Sequence, residues 1–122
     1  MKVNVLGTEY EVIFDTLAEN KRYKECGGYS DFYQKKIHVR QYKDTDADHD
    51  EMSLPNESMK MFEEKSLRHE LVHAFMYESG LDVNSHNIEA WARDEEMIDW
   101  MAIQIPKIMK AYDSITKHAD AT

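Results

Sequence analysis

Cysteine is nearly absent from this chain. Cys26 stands alone, so no internal disulfide can form and no Cys-x-x-Cys pair exists to hold a metal through thiolates. That suits a reducing compartment. Long apolar runs are missing too: nothing approaches the roughly 18 consecutive apolar residues of a membrane span. The opening residues Met1 to Gly7 are broken by polar side chains, unlike a leader peptide. Positive charge is in deficit, with 15 Lys and Arg against 24 Asp and Glu and a formal net charge of -9. Phosphate contacts dominate nucleic-acid affinity, so this balance argues against a broad nucleic-acid-binding face. There is no repeat and no low-complexity tract. These absences predict a soluble cytoplasmic chain with no membrane or nucleic-acid partner, in which the Asn56-Glu57-Ser58 sequon is coincidental.

Among the 122 residues, 42% are hydrophobic and 32% charged, the balance of one folded domain spanning the whole chain. Val3 and Val5, then Tyr10, Val12 and Phe14, alternate with mostly polar neighbours around Gly7-Thr8, which predicts two short strands and a tight turn. Residues 16–25 read as a short helix or a loop. Gly27-Gly28 breaks the chain, and Ile37 and Val39 mark a further strand, with Asp31 to Lys35 as the turn of a possible hairpin. Asp44 to Glu51 reads as a solvated acidic loop, because its spacing lacks the Gly and Glu of an EF-hand. A helix follows from Pro55-Asn56-Glu57-Ser58, with Asn56 or Ser58 as its cap and Gly80 as its stop. A second helix is expected from about Asn87 to Lys117, kinked or divided by Pro106 near Gln104-Ile105. The expected fold is α+β: a small, mostly antiparallel N-terminal sheet packed on two main helices.

Inside the first helix stands His69-Glu70-Leu71-Val72-His73. Residues four apart lie on one helical face, so the two imidazoles can share a metal ion, and Glu70 falls beside its open side. The bland alternative is a helix with two satisfied or exposed histidines. A catalytic zinc takes three protein ligands and leaves a place for water, so a third donor is needed. The second helix carries Glu89, Asp94, Glu95, Glu96 and Asp99. Glu95 falls within the apolar stripe of Trp91, Ile98 and Ala102 and is expected to point inward, where a carboxylate needs a partner. Glu96 is the second choice for the ligand and Glu89 the third. Asp99, one turn beyond Glu95, is placed to accept a hydrogen bond from the far nitrogen of a ligating histidine. Glu70 would act as general base, and Tyr77, His86 and Tyr112 are candidates to stabilise an oxyanion. The strand at Ile37 to Val39 is a candidate wall that pairs with an extended peptide, and His38 on it reads as a surface residue.

His69-Glu70-x-x-His73 followed by Glu95-x-x-x-Asp99 resembles the gluzincin class of zinc metallopeptidases. The small size, the leading strands and Trp100 to Pro106 are most similar to the ImmA/IrrE group of phage and mobile-element metallopeptidases, with a departure at Ile98, where that group has Ala. The resemblance spans roughly Tyr29 to Pro106. It implies a zincin-like architecture, one zinc ion held by His69, His73 and Glu95, and Glu70 as catalytic base. It also implies a protein or peptide substrate, such as a repressor-like regulator. A catalytically silent or structural-zinc regulatory module is the alternative.

Overall fold

Strands β1 (Lys2–Val5) and β2 (Thr8–Asp15) form the predicted hairpin. Leu6 and Gly7 both adopt positive φ, the backbone twist that a two-residue hairpin turn requires. The Asn4 side chain accepts the Gly7 N–H at 2.8 Å. The computed structural model describes residues 1–44, 55–82 and 91–120. Residues 16–25 contain one short 3-10 turn, Lys21–Lys24, which buries Tyr23. The chain then forms β3 (Gly28–Asp31) and β4 (Lys36–Arg40), an antiparallel hairpin whose turn is the stretch from Phe32 to Lys35. Asp31 Oδ1 holds that turn by accepting the N–H groups of Tyr33 and Gln34.

The strand order is β1-β2-β4-β3, with a parallel pairing of β2 and β4 and antiparallel pairings on either side. The expected α+β fold with a mostly antiparallel sheet is therefore observed. One expectation is corrected. β4 lies between β2 and β3, so both its edges are already paired and Ile37 to Val39 cannot add a peptide strand. Among the described residues, the edge strand on this side is β3.

Helix α1 (Asn56–Glu78) is an uninterrupted run of residues without Gly or Pro. It starts from Pro55, with no side-chain cap, because Asn56 and Ser58 are already inside the helix and lack the extended backbone of a capping position. It stops where predicted, at Ser79 and Gly80, where Gly80 takes positive φ. Leu67, Leu71 and Ala74 pack on Val5, Tyr10, Val12, Ile37 and Val39 of the sheet. Val72 and Met76 turn instead to Ile98, Met97 and Met101. α1 is thus a middle layer with two apolar sides, and the arc between them carries Ser66, His69, Glu70 and His73.

Helix α2 (Glu95–Asp120) follows a short 3-10 turn, Trp91–Arg93. Asp94 caps it, its side chain accepting the Glu96 N–H at 3.0 Å. Of the predicted kink or division at Pro106, the division does not occur, and the helix is continuous through it. Proline removes the N–H that would bond the carbonyl four residues back, Ala102. Arg68 of α1 donates Nε–H to that carbonyl at 2.9 Å and replaces the lost bond. The acidic loop beyond Asp44, the connection from residue 83 and the residues His86 and Glu89 lie outside the described residues. Among the described residues, no helix is long and apolar enough to cross a membrane.

Candidate metal centre

The helical repeat brings the two imidazoles of α1 together: the Nε2 atoms of His69 and His73 are 3.1 Å apart. Glu95 reaches them from the first turn of α2. One carboxylate oxygen is 2.9 Å from His69 Nε2, and the other is 3.2 Å from His73 Nε2. Tetrahedral donors about 2.0–2.1 Å from a metal ion lie about 3.3 Å from one another, so these three groups stand close to the separations of one coordination face. Two imidazole nitrogens and a carboxylate are also the right donor chemistry for a borderline-soft divalent ion.

Glu95 is the carboxylate brought to the histidines, while Glu96 beside it is exposed. The expectation that Glu95 points into the core is corrected. Its side chain is 67% exposed, because α2 begins at this residue and its first turn lies at the open mouth of the site. Asp99 takes the expected place, with Oδ1 2.7 Å from His69 Nδ1. That contact fixes the ring so that Nε2 faces His73 and Glu95.

Glu70 lies on the sheet side of the histidines and is only 6% exposed. Its carboxylate and the two imidazoles form one cluster whose ligand atoms all lie within 4.8 Å of one another. Ser30 Oγ donates to Glu70 Oε2 at 3.2 Å. Ser30 faces α1 because it pairs with Ile37, whose side chain is on the helix-covered face. Burial pushes the Glu70 carboxyl above the usual carboxylate range, and Glu95 adds to that; His73, His69 and the Ser30 hydroxyl pull in the other direction. A raised carboxyl is suited to proton transfer nearer neutral pH.

A cavity of about 180 Å³ adjoins this cluster, lined by Cys26, Gly27, Gly28, Lys65, Ser66 and Asp99 among others. The Gly27-Gly28 pair makes the close approach possible. A Cβ on Gly27 would stand 2.4 Å from the Phe62 ring, and one on Gly28 would stand 2.8 Å from the His38 carbonyl oxygen and 3.3 Å from Glu70 Cγ. Ser30 and this cavity escaped the reading of the sequence, although the glycine pair was the available signal.

Other predicted residues fall elsewhere. The Tyr77 ring stacks on Phe32 at 4.4 Å, with Lys35 Nζ over it at 4.9 Å. Tyr112 is 17 residues beyond Glu95, about 25 Å along α2 at 1.5 Å per residue, and is too far away to meet the same substrate atom. His38 is turned to the opposite face of the sheet from α1, stacked on Tyr29 at 4.5 Å. Cys26 lines the cavity, and burial holds its thiol above the usual range.

The chain matches no protein-family model, no curated protein and no solved structure.

Proposed function

We propose that this chain is a zinc-dependent peptidase of zincin-like type, with one zinc ion held by His69, His73 and Glu95. The observation that carries this reading is the cluster of three donor groups near 3 Å apart beside a buried carboxylate, Glu70. Zinc, when bound, supplies Lewis-acid polarisation of the scissile carbonyl and makes water acidic near neutral pH. The remaining work falls to the chain itself. Glu70 takes the proton of the attacking water and passes it to the leaving amine. Ser30 holds the Glu70 carboxylate in one orientation, and Asp99 holds His69. β3 offers an edge on which an extended protein segment, such as a repressor-like regulator, can add as a further strand. The cavity beside Gly27 and Gly28 is sized for one substrate side chain, and its lining combines Lys65 with the Glu70 and Asp99 carboxylates.

The test is metal analysis of the purified protein together with cleavage of a mixed peptide library followed by mass spectrometry. Stoichiometric zinc is expected in wild type and its loss in His69→Ala and His73→Ala. Glu70→Gln is expected to keep zinc and lose cleavage. Wild type that fails to hold zinc overturns the site itself. One observation favours the second reading, a zinc-bearing regulatory module without turnover. The Tyr77 ring is engaged by Phe32 and Lys35 and Tyr112 lies far along α2, so two of the three candidate oxyanion stabilisers are engaged or remote. Retained zinc with no cleavage would establish that reading.

A further inference from the structure

Helix α2 has two halves of different character. Ile98 and Ala102 are buried against the body, and the same helical face continues as Ile105, Ile108, Met109, Tyr112 and Ile115, which are 42–70% exposed. The spacings of three and four residues keep all of them on one stripe. Isolated helices of about this length are marginal in water without a packed apolar face. Next to the start of the exposed half lies an apolar groove of about 540 Å³, walled by Leu6, Leu71, Phe75, Met76, Met101 and Ile105.

We infer that a second copy of this chain covers this face, through an antiparallel pairing of the two α2 helices across a two-fold axis between Ile108 and Met109. The pairing is self-complementary. It sets Ile105 against Tyr112 of the other copy and Ile108 against Met109. The same register drops Ile115 of each copy at the level of Ala102 of the other, over the mouth of the groove. The exposed portions of the stripe and of Phe75 and Leu6 offer an apolar area on the order of the ~800 Å² per partner of a standard interface. Charge selects the direction. Residues 103–115 carry Lys107, Lys110 and Asp113, a local balance of +1 within a chain of -9, so the chain's excess of negative charge lies outside the seam. Both lysines lie on the side of the helix away from the stripe. An antiparallel arrangement also opposes the helix dipoles and holds the two acidic bodies at opposite ends, whereas a parallel one would place them side by side.

Sedimentation equilibrium of the full chain across a range of concentrations tests this. The expected mass is twice the 14.4 kDa of one chain. Ile108→Lys combined with Ile115→Lys is expected to give the single-chain mass, with circular dichroism and metal content unchanged. Lys110→Glu, on the outward side, is expected to leave the doubled mass intact. A wild-type chain that stays single at every concentration overturns the proposal. So does a double-lysine variant that keeps the doubled mass, or a Lys110→Glu variant that loses it.

Discussion

Glu70 and Glu78 lie on the same helix little more than two turns apart, yet their surroundings drive them in opposite directions. Glu78 accepts hydrogen bonds from Lys35 Nζ at 2.6 Å and the Tyr10 hydroxyl at 2.8 Å, with Thr8 Oγ1 at 3.5 Å. The Lys35 bond above all holds its carboxyl below the usual range. A depressed folded-state pKa contributes stability that is present above the ordinary carboxylate range and lost as pH falls through the depressed value. Glu78→Gln is therefore expected to cost about 2 kcal/mol at neutral pH, as charge-assisted hydrogen bonds do. It should also flatten the acid limb of stability, which urea midpoints measured against pH would show. Glu70 is the reverse case, raised by burial. Ser30→Ala removes a hydrogen bond that favours the charged carboxylate, so the Glu70 carboxyl should rise further. In an active enzyme the acid limb of the cleavage rate then moves to higher pH. Glu70→Gln should abolish that limb and lower the rate by about 10² to 10⁴-fold, with zinc content unchanged.

Among the elements, α2 shows where local sequence rules stop. Its periodicity was legible, and Pro106 reads as a kink or a division because proline takes away one helical bond and crowds the preceding turn. Arg68, 34 residues earlier, supplies a donor to the orphaned Ala102 carbonyl, and no window along α2 contains that information. The pair makes a quantitative test. Arg68→Met should leave the buried carbonyl unsatisfied and cost about 1–3 kcal/mol. In a Pro106→Ala background the restored N–H takes up the carbonyl, and the same change should cost much less. Urea denaturation of the four proteins gives the coupling as a double-mutant cycle. The hairpins, the span of α1 and its glycine stop were legible because turn chemistry and period are local. The position of β4 inside the sheet was not, since it depends on pairing with β2, 25 residues away in register. The same distinction separates the site residues. The His69 and His73 pairing follows from the helix repeat alone, and Asp99 follows from Glu95 by one turn. Tyr77 shares that helical face but is captured by Phe32, which arrives from the β3–β4 turn.

For the whole molecule, the candidate centre ties the three layers together: Ser30 comes from the sheet, His69, Glu70 and His73 from α1, and Glu95 and Asp99 from α2. The two Nε2 atoms at 3.1 Å face each other and the Glu95 carboxylate. A metal ion held by all three groups would bind only where α1 and α2 are docked, so its binding energy would become folding energy. At a free zinc concentration a hundred times the dissociation constant, the folded state gains about 2.7 kcal/mol. Thermal unfolding of the full chain should accordingly move upward with added zinc and downward with a chelator. His69→Ala and His73→Ala should lose this dependence entirely. Asp99→Asn, which keeps every ligand, should weaken zinc affinity by about 10 to 100-fold and so need more zinc to reach the same midpoint. A midpoint indifferent to zinc in wild type would leave the three layers held by their apolar contacts and direct hydrogen bonds, and the donor triangle would then be a polar seam without a metal.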